Sequence, residues 1–157
     1  MQAAASKKPP SYQRILLKLS GEMLMQGQAF GINTDACQAL AHQIKNLQAT
    51  GLEIGIVIGG GNIFRGINLE AIGIARSPAD QMGMLATLIN GVALQEALES
   101  IGCKAKLLTA LDCPKVAESY TWHAAMEALK SKTVVIFVGG TGNPYFTTDT
   151  AAALRAS

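Results

Sequence analysis

Glu53–Gly66 reads EIGIVIGGGNIFRG, and the order of residue types in it decides the fold. Apolar, β-branched residues run straight into three glycines, then Asn62, then Arg65 one turn further on. A strand that ends in glycines lets backbone N–H groups approach an anion closely, because no Cβ stands in the way. A helix starting there would add the positive end of its dipole, and Arg65 would add a guanidinium fork shaped for phosphate oxygens. The stretch therefore reads as a phosphate site. A tight strand-to-helix turn carrying a surface arginine would have the same composition.

Working outward, Arg14–Leu19 (RILLKL) is a first apolar strand with Lys18 embedded near its end, followed by Ser20 and Gly21. A lysine in such a strand sits on an edge or snorkels to water; at the C-terminal end it can also project into a site. Glu22–Ile32 reads as a loop broken by Gly27 and Gly31. Asp35 and Gln38 form a capping box for a helix carrying Ala36, Leu40, Ile44 and Leu47, with Gly51 as its stop. The strand Glu53–Ile58 follows. Ile63–Arg76 is mildly apolar and fits neither period. Ser77-Pro78-Ala79-Asp80 predicts a helix start with Ser77 as cap and Asp80 closing the box, and Met82, Leu85, Ile89, Val92 and Leu98 supply its apolar face up to Ile101 and Gly102. Then come a strand over Ala105–Thr109, a loop over Leu111–Glu118, a helix over Tyr120–Lys130, a strand over Thr133–Val138 (TVVIFV) and a helix over Thr148–Arg155.

Strands alternating with helices, some of them near-continuous apolar runs, predict an α/β fold: a three-layer α/β/α arrangement around a mainly parallel sheet. Ligands of such sheets bind outside the carboxyl ends of the strands, where Lys18–Gly21, Gly59–Arg65 and Gly139–Asn143 all fall. The third junction, GGTGNPYFTTDTAA from Gly139 to Ala152, offers backbone amides, Asn143, Thr147, Thr148 and Asp149. Those groups suit phosphate or a pyrimidine edge, and they also make an ordinary turn and helix cap.

Composition narrows the classes. The chain has 157 residues, 49% hydrophobic and 15% charged, with a net charge of +2. That is enough for one domain with a core and too little positive charge for a nucleic-acid partner. No apolar run reaches membrane-spanning length, so the cytoplasm is the expected location. Met1–Ser11, with Lys7, Lys8, Pro9 and Pro10, reads as a loose tail ahead of a domain over 12–157. Cys37, Cys103 and Cys113 show no CxxC spacing. His42 and His123 lack a second ligand at metal-binding spacing, and no serine sits in a nucleophile elbow. Neither GxxxxGK[ST] nor GxGxxG occurs, and protein-kinase signatures are absent.

KLSGE at Lys18–Glu22, VIGGGNIFRG at Val57–Gly66, ADQMGMLATLINGVAL at Ala79–Leu94 and GTGNPYFTTD at Gly140–Asp149 together resemble the amino acid kinase family and, within it, the bacterial-type uridylate (UMP) kinases. The resemblance implies MgATP + UMP → ADP + UDP by direct in-line transfer, with Mg2+ arriving on ATP and no metal ligands assigned among the side chains. It implies catalytic roles for Lys18, Arg65 and Asp149, with Asp149 holding the lysine or the metal. ATP would be bound by Lys18, Leu19, Ser20, Gly21, Gly61 and Arg65. UMP would be bound by Gly60, by Asp80 at the ribose hydroxyls, and by Thr141, Gly142, Asn143, Pro144, Tyr145, Phe146, Thr147 and Thr148 around uracil and the α-phosphate. It also implies a homo-oligomer, a hexamer in the family, with the helix from Pro78 to Ile101 near the subunit contacts.

Family members continue past the point where this chain stops, into the part that holds adenine. The resemblance therefore leads us to expect the N-terminal portion of the fold, an intact acceptor region and an impaired donor site, with an exposed sheet edge and apolar surface. Two other readings share the residues: a family member acting on a carboxylate or carbamate acceptor, and a UMP- or UTP-binding chain without turnover.

Overall fold

A computed structural model describes residues 12–64 and 73–157; the Met1–Ser11 tail and Arg65 lie outside the described residues. Among the described residues the five strands are β1 (Arg14–Leu19), β2 (Glu53–Ile58), β3 (Ala105–Thr109), β4 (Glu118–Ser119) and β5 (Val134–Val138). The helices are α1 (Thr34–Gln48), the single turn α2 (Gly61–Phe64), α3 (Arg76–Ser100), α4 (Trp122–Lys130) and α5 (Thr148–Ala156), with a 3₁₀ turn over Gly21–Leu24. The sheet runs β1-β2-β5-β3-β4, and every pairing in it is parallel.

Strand parity sorts the core into two layers. On one side Ile54, Ile56, Ile58, Val134, Ile136 and Val138 meet Leu40, Ile44, Leu94 and Leu98 of α1 and α3. On the other, Val57, Val135 and Phe137 meet Ala125 and Leu129 of α4 and Ala151 of α5. Helices on both faces of an all-parallel sheet are the three-layer α/β/α arrangement that the apolar runs predict.

β1, β2 and β3 have the predicted bounds. The two-residue β4, at the end of the expected loop, is too short to carry a period. Cys37 and Cys103 are buried, and burial pushes both thiols up.

Three local expectations are corrected. α1 is capped by Asn33, whose Oδ1 accepts the Ala36 N–H at 2.9 Å; Asp35 lies in the first turn, and Gln38 donates instead to Ser100 Oγ at 3.1 Å. α3 begins at Arg76 behind Ala75, with no side-chain cap, so neither Ser77 nor Asp80 closes a box. Asp80 is drawn off by Arg76 and by Tyr145. The expected apolar face of α3 is also rotated: Leu85, Ile89 and Val92 are 51%, 50% and 44% exposed, while Leu98 is fully buried.

The reason lies in the residues that α3 does bury. A Cβ at Gly91 would stand 2.5 Å from Val138 Cγ1 and 2.7 Å from Leu107 Cδ1, so the missing side chain lets the helix settle onto the sheet. Beside it, Asn90 and Asn62, both 0% exposed, form a reciprocal amide pair. Asn62 Nδ2 donates to Asn90 Oδ1 at 2.9 Å and Asn90 Nδ2 donates back to Asn62 Oδ1 at 2.6 Å. Each amide also donates to a turn carbonyl, Asn62 to Gly31 O at 2.9 Å and Asn90 to Gly59 O at 2.7 Å.

Gly91→Val is expected to lower stability by about 1–3 kcal/mol through overpacking, read as a shift of the urea midpoint. Asn90→Ala should cost about 2–3 kcal/mol, because Asn62 and the Gly59 carbonyl would lose partners inside the protein. The double variant with Asn62→Ala should cost less than the sum of the singles, since both remove the same bonds.

Candidate functional site

The three glycine junctions meet at the carboxyl edge of β1, β2 and β5. The Gly59 N–H donates to Leu19 O at 2.9 Å, tying the first two together. At Gly21 a Cβ would lie 2.3 Å from Asn62 Oδ1 and 2.7 Å from Gly59 O, so only glycine fits between the turns. At Gly60 a Cβ would lie 2.8 Å from the Ala86 Cβ and 2.9 Å from Gly83 O, which seats that residue against α3. Gly61 has open space where its Cβ would be. The helix it opens is a single turn, α2, so the dipole contribution anticipated there reduces to its few N–H groups.

The third junction leans on the same helix. Gly139 N–H donates to Thr87 Oγ1 at 2.7 Å. Gly142, at φ +80°, leaves no room for a Cβ, which would lie 2.8 Å from Ala110 O. The loop then crosses back to α3, where the Tyr145 N–H donates to Asp80 Oδ2 at 2.8 Å. Tyr145 itself stands at φ +70°, a left-handed conformation uncommon for a bulky residue. Thr147 caps α5 by accepting the Thr150 N–H at 3.3 Å. The next residues bring Thr148 into the cleft and Asp149 to Lys18, with Nζ 3.0 Å from Oδ1. Lys18 sits on the edge strand and shares parity with Leu16, which packs on the α4–α5 side.

Between these elements lies a cleft of about 240 Å³, lined by Gly60, Gly61, Asp80, Asn143, Phe146 and Thr148 among others. Phe64, Ala79, Gly83, Met84 and Thr87 complete the lining, and sequence reasoning did not single them out. The signal was present: Asp80, Gly83, Met84 and Thr87 recur at helical spacing from one carboxylate. The remaining anticipated residues are more scattered. Leu19 is buried in the core, and Ser20 Oγ accepts the Glu22 N–H at 3.4 Å. Thr141 faces a neighbouring hollow with Tyr120 and Arg155, and Tyr145 is exposed. A larger hollow of about 430 Å³ opens between α4 and α5, lined by Trp122, Met126 and Leu154, and holds neither the glycine turns nor an acid.

Charge in the cleft centres on Asp80. The Tyr145 N–H, and after it the Arg76 guanidinium, hold its carboxyl below the usual carboxylate range against the opposing effect of burial; it is ionised at neutral pH. Among the described residues no group of three or more His, Cys, Asp and Glu comes together. No described helix is long and apolar enough to cross a membrane. Glycine turns, a fixed carboxylate and a lysine on one sheet edge can bind an anion next to a hydroxyl-bearing group.

A profile of the amino acid kinase family matches residues 13–157. The chain is 65% identical over 145 residues to a uridylate kinase of Protochlamydia amoebophila, a match covering 92% of this chain and 58% of that one. The UMP kinase structure from Bacillus anthracis superposes with a TM-score of 0.88 at 39% identity, covering 92% of this chain and 60% of that chain. The UMP kinase structure from Ureaplasma parvum gives 0.86 at 41%, covering 92% and 61%. The chain thus spans roughly three fifths of the length of the curated relatives it matches. A profile match running through all three glycine junctions places the chain in the amino acid kinase family.

Proposed function

We propose that the chain is the acceptor-binding portion of a uridylate kinase, a cytoplasmic enzyme transferring the γ-phosphoryl group of MgATP to UMP. The observation that carries this reading is the meeting of Asp80 with the GTGNPYFTTD loop over one cleft beside Gly60 and Gly61, in a chain so similar to uridylate kinases. An ionised carboxylate accepts hydrogen bonds from a ribose diol. The backbone of Gly60 lets the UMP phosphate approach, while Asn143, Phe146 and Thr148 close around the nucleotide.

Phosphoryl transfer asks little covalent chemistry of a protein and much positioning. Lys18, paired with Asp149, would reach the donor phosphates and the group in flight. Gly61, with open space where its Cβ would stand, would leave the backbone accessible to the donor, Gly21 would hold the first turn beside it, and Arg65 would steady phosphates between donor and acceptor. Mg2+ would arrive on ATP and offset charge on the phosphates, and Asp149 would hold the lysine or the metal in place. A homo-oligomer would cover Leu85, Ile89 and Val92, which α3 leaves exposed.

Calorimetric titration of the chain should show UMP binding and no heat with acetylglutamate; the reverse would favour a family member with a carboxylate acceptor. UMP binding without ADP release in the presence of MgATP would make the chain a binding module rather than a complete kinase. Where ADP release is seen, Lys18→Ala should lower it on the order of 100-fold while leaving UMP affinity largely unchanged.

Because the Asp80 pKa is depressed, its ionised form persists to lower pH than that of an ordinary aspartate and is lost as pH falls through the lowered value. Titration with uridine, which carries no phosphate of its own to ionise, should therefore show affinity steady from neutral pH down into the acidic range. Affinity should fall at lower pH, and Asp80→Asn should be weak and flat throughout.

A further inference from the structure

Arg76 has no role among the acceptor contacts above, yet it is the residue that touches both carboxylate oxygens of Asp80. Its Nε lies 3.0 Å from each carboxylate oxygen, and its guanidinium stands 5.8 Å from the Tyr145 ring centroid. Tyr145 in turn gives its N–H to Asp80 Oδ2. The three residues form one closed arrangement that ties the start of α3 to the loop 141–147.

Helix stability does not explain the arginine. Arg76 is the first residue of α3, where the helix dipole disfavours a cation. An ion pair with one partner 57% exposed adds little to folding.

Geometry does explain it. The terminal torsion of an aspartate is broad, and a single bond from Tyr145 to Oδ2 leaves the carboxylate free to swing about that contact. Arg76, bridging both oxygens, fixes the plane. A carboxylate offers about four lone-pair sites; Tyr145 and the shared Nε take positions on Oδ2, and Oδ1 keeps capacity for a further donor from the cleft that Asp80 lines.

We propose that Arg76 is a positioning residue for the acceptor sugar: it orients the Asp80 carboxylate so that it receives the vicinal hydroxyls of a ribonucleotide and discriminates against a 2′-deoxyribonucleotide. The inference rests on the acceptor reading given above. It assigns the ribose preference to a pair, Asp80 and Arg76, rather than to the acid alone.

The test is calorimetric titration of the chain, and of its Arg76→Ala, Arg76→Lys and Asp80→Asn variants, with UMP and with dUMP, folding being checked by circular dichroism. Arg76→Ala should weaken UMP roughly fivefold, the scale of one partly exposed ion pair, and weaken dUMP, which keeps only the 3′-hydroxyl, by less, so that the preference narrows as it does in Asp80→Asn. Arg76→Lys, which keeps the charge without the Nε–H that bridges both oxygens, should recover part of the preference. Equal weakening of both nucleotides in Arg76→Ala, or an unchanged preference in both arginine variants, would overturn the proposal and leave an ordinary structural pair. A parent chain that binds neither nucleotide would remove the acceptor reading itself, whereas one that binds both alike would overturn the ribose preference and leave that reading in place.

Discussion

The buried amide pair of Asn62 and Asn90 is the constraint on which the rest of the site depends. Two carboxamides taken out of water must find partners for their donors and acceptors, and here they do so by bonding each other and the carbonyls of Gly31 and Gly59. In a low-dielectric setting such a network is stiff when complete and costly when broken. It fixes the β2–α2 turn relative to α3, and because Gly21 packs directly against Asn62, it fixes the β1 junction as well. α3 then serves as a common spine. Asn90 holds the second junction, Thr87 holds the third through Gly139, and Asp80 holds the loop after it. The glycine turns are thus positioned by one helix, on its buried side.

That dependence explains what could be read from the residues and what could not. β1, β2 and β3 were legible to the residue because each is a short, mainly apolar run bounded by polar residues or glycine. The glycine junctions were legible because a run of glycines at a strand end has few uses. The orientation of α3 was not. Leu85, Ile89 and Val92, expected on the core side, face outward, while Thr87, Asn90 and Gly91 face in beside Leu88, Leu94 and Leu98. Hydrophobic periodicity cannot anticipate a face selected for closeness and hydrogen bonding. Caps were misread for a related reason: Asn33 and Asp35 are both good candidates, and the choice depends on where the chain leaves extended geometry. The engagement of Asp80 with Tyr145 spans 65 residues, beyond the reach of local patterns. A capping-box reading took a residue committed elsewhere by tertiary contact.

The strand order carries a consequence of another kind. β5 lies between β2 and β3, so the middle of the sheet is the strand made after all its neighbours. As the chain is made from its N-terminus, β1 can pair with β2, but β2 keeps one open edge and β3 has only the two-residue β4 beside it until residues 134–138 arrive. Pairings of such sequence separation form slowly, and open apolar edges invite association with other chains in the interval. The period of greatest exposure to wrong pairing is therefore set by the time between synthesis of β2 and synthesis of β5, and no improvement in the packing of the finished sheet shortens it.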